Sequence, residues 1–355
     1  MNTSRSLTRT NGMAVSTIIV AASLLITLAL PVATLTGPVG VYVLCALPTI
    51  IMMDGLWTSR QDGWLSRQHR LLKGVVMLLV SLAGGALVMF VGNLTIGGNQ
   101  GPAMPEMSFF NIIAVVIAFW LVNMWQGWPF VRIRSRVGAT TAVFVATYLI
   151  AAAVYYAFFD FANLPSVGAA TPHGLFEAWH SLAYLVCFLT GMFIPPAFGF
   201  LGLGKVKPGL RQGLAWTGVS LVWGTIVYVI GLMITGDPVF TLVWVPVPLL
   251  FGGLIVLVMF RDSIFGHISA LPLRGILTTA LSYAVGVALV WLYAHQASVT
   301  FPDLMSGPPP YVKEVWIADA TLSFTFPLLA VYGNLFGMWP FRMPPPPDAP
   351  AEVTR

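Results

Sequence analysis

The sequence predicts an all-α fold: a polytopic transmembrane bundle of about ten helices, built as tandem helical hairpins. Three observations carry that reading. Charged residues make up 8% of the 355 positions and hydrophobic ones 57%, whereas soluble domains carry roughly 25% charge, so lipid must face most of the surface. Apolar runs of about twenty residues, the length that crosses a bilayer core, recur ten times. The basic residues between those runs fall in alternate connections only.

The ten runs read 13–35, 38–57, 74–95, 109–128, 139–160, 177–200, 213–235, 240–260, 275–296 and 319–340. Each must be helical, because hydrocarbon offers no partner to unpaired backbone groups, and no ten-residue alternation suggests a β-barrel. The first run follows Arg5 and Arg9 but is longer than a signal-peptide core and has no small-residue cleavage site after it, so it reads as a retained helix. Residues 1–12 then form a short N-terminal segment, 13–341 one ten-helix domain, and 342–355, MPPPPDAPAEVTR after Arg342, an extended Pro-rich tail.

Arg60, Arg67, Arg70 and Lys73 precede the third run, and Arg132, Arg134 and Arg136 follow the fourth. Lys205, Lys207 and Arg211 follow the sixth, Arg261 and Arg274 the eighth, and Arg342 the tenth. The other connections hold Glu106, Asp160, Glu177, Asp237, Asp303 and Glu314, with Lys313 as their one basic residue. The positive-inside rule puts the basic side and both termini in the cytoplasm of a cell (inner) membrane protein. The net charge of +5 is thus a topology signal, not a nucleic-acid one, and the bilayer is the expected partner, with other membrane subunits an open question. Trp57, Trp64, Trp125, Trp128, Trp179, Trp291, Trp316 and Trp339 cluster at run ends, as interfacial anchors do.

The third and seventh runs match without a gap: Gly74, Ser81, Gly85 and Gly92 align with Gly213, Ser220, Gly224 and Gly231, and Gly275, Ser282 and Gly286 keep part of the pattern in the ninth. A second echo joins Asn123-x4-Trp128-Pro129-Phe130 to Asn334-x4-Trp339-Pro340-Phe341. Small residues at this spacing let helix backbones approach closely. The prolines stop the helices. Asn123 and Asn334, polar amides near the membrane ends, read either as interhelical hydrogen-bond partners or as substrate contacts. Prolines inside runs (Pro48, Pro195, Pro196, Pro246, Pro248, Pro327) all lie in even-numbered ones, so those helices kink and can line a cavity.

For chemistry, no run shows a mid-membrane carboxylate or lysine. The densest polar group is H-G-L-F-E-A-W-H: His173, Glu177 and His180, which on one helix would share a face. With His295, and with Met104 and Met107 of the outer loop P-A-M-P-E-M, they offer ligands for a transition metal such as copper; His180 and His295 offer a haem pair. The same residues also fit a solvated helix start. Cys45 and Cys187 lack metal or disulfide spacing. No P-loop, HExxH or CxxCH occurs, which argues against ATP hydrolysis and attached c-type haem. Three functions fit: a small-molecule or ion permease, a membrane redox or metal-handling protein, and a structural subunit of a membrane complex. Whether the chain is an enzyme stays open.

Overall fold

A computed structural model describes residues 2–58, 65, 68–99, 105–164, 171–198, 209–260, 264–308 and 311–341. Arg60, Trp64, Arg67, Met104, Lys205, Lys207, Arg261, Arg342 and the tail lie outside the described residues.

Among the described residues ten helices follow one another: α1 Asn2–Ala29, α2 Val32–Trp57, α3 Arg70–Thr95, α4 Glu106–Met124, α5 Arg136–Phe158, α6 Ala178–Ala197, α7 Leu210–Thr235, α8 Pro238–Met259, α9 Leu271–Thr300 and α10 Val312–Leu335. Nine are long and apolar enough to cross a membrane, and α6 contributes the shorter apolar run Ala178–Phe193. The expected all-α transmembrane bundle is therefore present, with its boundaries moved in three places. Residues 2–12 are already helical and belong to α1. The first break falls at Leu30–Pro31, inside the run read as 13–35; Pro31 has no N–H to continue the helix, whereas α2 absorbs Pro38 in a π-helical turn at Leu35–Val39. The last helix starts at Val312 and ends at Leu335, so Trp339-Pro340-Phe341 lies beyond it.

Burial sorts the helices into two shells. In α2, α4, α8 and α10, 67–78% of the apolar window is buried, against 17–33% in α1, α3, α5, α7 and α9. The inner helices, with α6, touch in the closed order α2–α4–α6–α8–α10–α2. The odd helices stand outside and expose large apolar side chains such as Phe90, Leu149, Val222 and Trp291, as a lipid-facing surface does.

Glycines set the distance between shells. A Cβ on Gly85 of α3 would lie 2.7–2.9 Å from Ala46 of α2; one on Gly224 of α7 would lie 2.7 Å from the Phe188 backbone of α6; one on Gly286 of α9 would lie 1.8 Å from the Pro248 carbonyl of α8. These three outer helices thus each press a central glycine on the inner helix before it. A glycine eleven residues earlier meets a different inner helix, near that helix's final turns: Gly74 on Phe336 of the α10 end, Gly213 on Trp125 of the α4 end, Gly275 on Phe198 of the α6 end. Gly12 of α1 does the same against the Met259 carbonyl of α8, at 2.6 Å, although α1 carries little of the sequence pattern. Ser23, eleven residues further on, bonds Thr325 of α10.

The inner helices are irregular. Among the described residues every π-helical turn lies in one of them: Leu35–Val39, Met53–Thr58, Trp120–Met124, Leu254–Met259, Asp319–Thr325 and Val331–Leu335. Such turns widen the hydrogen-bond ladder and redirect the chain. The ends of α4 and α10 do this identically. Trp125 N–H donates to Trp120, Gly127 to Leu121 and Trp128 to Trp125; Phe336 donates to Val331, Met338 to Tyr332 and Trp339 to Phe336, each pair offset by 211 positions.

The shell spacing gives a stability prediction. Gly252→Ala, whose Cβ would meet the Ser282 carbonyl at 1.7 Å, and Gly286→Ala force two backbones apart and should each cost about 1–3 kcal/mol. Gly218→Ala, with nothing within 4 Å, should be neutral or up to about 1 kcal/mol stabilising. Thermal melting in detergent reads this; equal melting of all three contradicts the account.

Candidate functional site

The bundle has a basic and an acidic end. Arg9, Arg70, Lys73, Arg132, Arg134, Arg136, Arg211 and Arg274 sit at or beside starts of odd helices and ends of even ones; Glu106, Asp160, Glu177, Asp237, Asp303 and Glu314 lie at the opposite turns. The sequence-predicted residues divide between these ends.

Asn123 is exposed and Asn334 half-buried, each in the terminal π-helical turn of its helix at the basic end. The His/Glu group lies at the acidic end, and its expected common helical face is a correction. The α6 helix begins only at Ala178. Glu177 belongs to a two-residue strand, β2 (Phe176–Glu177), paired in parallel with β1 (Phe159–Asp160), and His173 bridges Asp160. Gly174 permits that crossing, since a Cβ there would meet the Phe159 amide nitrogen at 2.4 Å.

Each residue of the group then has its own role. His173 Nδ1 lies 3.1 Å from Asp160 Oδ1. The Asp160 carboxyl is held below its ordinary value of 3.8 by the Ala162 N–H, then by His173. A depressed carboxyl lends its stabilisation above 3.8 and loses it as pH falls through the lower folded value, so the Asp160 carboxylate stays charged below the pH at which a free one takes up its proton. Glu177 Oε2 caps α6 by accepting from the His180 N–H at 3.1 Å. His180 Nδ1 lies 2.5 Å from the Tyr228 hydroxyl, and His295 stacks on Trp291, 5.4 Å between centroids and 4° from parallel. Among the described residues no three His, Cys, Asp or Glu side chains gather closely enough to hold a metal ion. The metal or haem reading of His173, Glu177, His180 and His295 thus gains no support from the geometry of the described residues.

What the structure does bring together is a cavity of about 480 Å³ at the acidic end, within the range of small-molecule sites. Its walls come from the first turns of α4, α6, α8 and α10: Ser108 and Phe109, Trp179 and Leu182, Val239 and Leu242, Glu314 and Asp319, with Glu177 and Tyr311 at the rim. Two anchors shape the rim. Asp237 caps α8, its Oδ1 accepting from Val239 and Phe240 N–H at 2.8 and 3.1 Å, while its Oδ2 accepts from the Tyr311 hydroxyl at 2.6 Å. Loss of water around the Tyr311 hydroxyl, with the Asp237 carboxylate beside it, pushes that phenol above its usual value. Glu314, 3% exposed, accepts from the Ser306 hydroxyl and from the Gly307 N–H.

Asp319 was not anticipated. It lies inside α10, seven residues past Val312, and corrects the expectation that no span carries a deep carboxylate. It is 7% exposed. It opens a π-helical turn, accepts from the Ser323 hydroxyl at 2.8 Å through Oδ1, and packs against Gly40 of α2, where a Cβ would come within 3.3 Å of it. The run read as 319–340 had Asp319 as its first residue; the helix starts at Val312, which moves the carboxylate about two turns inside.

Seven residues below Asp319, Phe326 meets Phe119 of α4 and Phe193 of α6, with ring centroids 6.5, 6.3 and (Phe119–Phe193) 5.5 Å apart. Neither α4 nor α6 is a ring neighbour of α10, so these side chains meet across the middle of the inner ring.

Comparison with known proteins finds no family model, no curated protein and no solved structure that matches the chain.

The rim anchors predict a coupled effect. Asp237→Ala should lower stability by about 1–2 kcal/mol through loss of the cap, and Tyr311→Phe by about 1 kcal/mol through its hydrogen bond. A double-mutant cycle in thermal melting should fall short of the sum; strict additivity would contradict the contact.

Proposed function

We propose that this chain is a small-molecule permease of a cell membrane, with basic end and termini in the cytoplasm and the acidic-end cavity facing out. The observation that carries this is Asp319: a carboxylate inside a membrane-spanning helix, at the floor of a cavity. An ionisable group is costly at that depth and is kept for function. Two further features support passage. The inner helices that wall the cavity are broken by prolines and π-helical turns, as helices lining solute paths are. The Phe119–Phe193–Phe326 contact closes the ring between Asp319 and the basic end, as a barrier to a continuous pore must. Five outer–inner hairpins in tandem, all of one orientation, account for the glycine contacts and for the matching ends of α4 and α10. In this reading Asn123 and Asn334 meet the solute at the cytoplasmic exit.

The test uses Ala318→Cys, beside Asp319 in the cavity, in protein whose buried Cys45 and Cys187 are replaced by alanine, in oriented vesicles. A membrane-impermeant thiol reagent should label position 318 quickly from the acidic side and slowly from the basic side. Adding Phe326→Ala should raise the slow rate roughly tenfold, which corresponds to ~1.4 kcal/mol off the barrier. Labelling from one side alone, with or without Phe326, contradicts a permease.

A further inference from the structure

The chemistry of the cavity wall says what enters it. Glu177, Glu314 and Asp319 line it, and among the described residues no Lys or Arg does. The connections at this end carry one basic residue in all, Lys313. Glu314 and Asp319 are five residues apart, about 7.5 Å of helix rise, so negative charge descends from rim to floor.

Asp319 gives the deciding observation. Its side chain is more than nine-tenths buried. Only Oδ1 accepts a hydrogen bond from a described residue, the Ser323 hydroxyl, although a carboxylate has about four acceptor positions. A charged carboxylate at such depth is stabilised by a positive partner, since an uncompensated charge there costs several kcal/mol. An anion would be repelled. A neutral solute could donate a hydrogen bond to Oδ2 but would leave the charge uncompensated. A bare metal ion would find no shell, because no three acidic, His or Cys side chains converge among the described residues. The remaining class is a cation that carries its own apolar body. The rest of the wall suits one: Trp179, Phe109 and Tyr311 present aromatic surface, which attracts an alkylammonium, and Leu182 and Val243 are apolar.

We infer that the cavity is the receptor site for an organic cation, an alkyl- or aryl-ammonium, with its charge on Asp319 and its body against Trp179, Phe109 and Tyr311. That such a cation is the cargo rests on the permease reading above; that it binds does not.

The experiment is calorimetric titration of the purified full-length protein in detergent with benzyltrimethylammonium, 2-phenylethanol and phenylacetate, three solutes of similar size and different charge. The cation should bind and the other two should not. Asp319→Asn should weaken cation binding about tenfold or more, and Trp179→Leu about threefold. Ala318→Phe, which fills the cavity and removes no carboxylate, should abolish it, so the assignment stays testable if Asp319→Asn fails to fold. The inference is overturned if phenylethanol or phenylacetate binds as well as the cation, if no cation binding is detected, or if folded Asp319→Asn or Ala318→Phe binds unchanged. No transport enters this measurement. Absent cation binding with two-sided labelling at 318 therefore removes the cation and leaves the permease; cation binding with one-sided labelling removes the permease and leaves the site.

Discussion

Close approach between an outer and an inner helix, through glycine, is the contact on which the rest of the molecule depends. Hydrocarbon gives no hydrophobic drive between helices, so association rests on how near their backbones come. At Gly85, Gly224, Gly252 and Gly286 that distance leaves no room for a methyl group. The straight outer helices can then hold inner helices that would be poor spans alone. A π-helical turn or an internal proline weakens the ladder that a lone helix in lipid needs. Sheathed by two or three neighbours, the irregular turns are tolerated, and with them a carboxylate at 319.

The same arrangement explains why the cavity is at the acidic end and the aromatic contact below it. Inner helices enter at that end through short caps, Asp237 on α8 and Glu177 on α6, whose side chains satisfy the first backbone amides. The Tyr311–Asp237 bond ties the starts of α8 and α10 together at the rim. Further down the ring narrows, and Phe119, Phe193 and Phe326 fill its middle.

Much of this was legible in the residues. The ten apolar runs and the sorted charges produced the transmembrane bundle, and the prolines inside even-numbered runs marked the irregular inner helices. The glycine alignment of α3, α7 and α9 picked out contacts that the structure makes. The site was misread for two physical reasons. A hydropathy window begins where apolar residues begin, so it left Glu314 out of the tenth run and put Asp319 at its first position, although the helix had started at Val312. The His173/Glu177/His180 spacing implied a shared face only if the segment was helical, and Pro172, Gly174 and the pairing of 159–160 with 176–177 made it a bridge instead. The aromatic contact could not be read at all, since Phe119, Phe193 and Phe326 share no motif and meet only because the ring closes.

The account stands on one claim: the acidic-end cavity carries water to the inner face of α10 while the outer helices see lipid. Spin labels at Ala318→Cys and Val222→Cys in lipid nanodiscs test it by power saturation with a water-soluble nickel chelate and with oxygen. The label at 318 should relax with nickel, and the label at 222, a 63%-exposed position on α7, with oxygen. Oxygen dominating at both positions would contradict it.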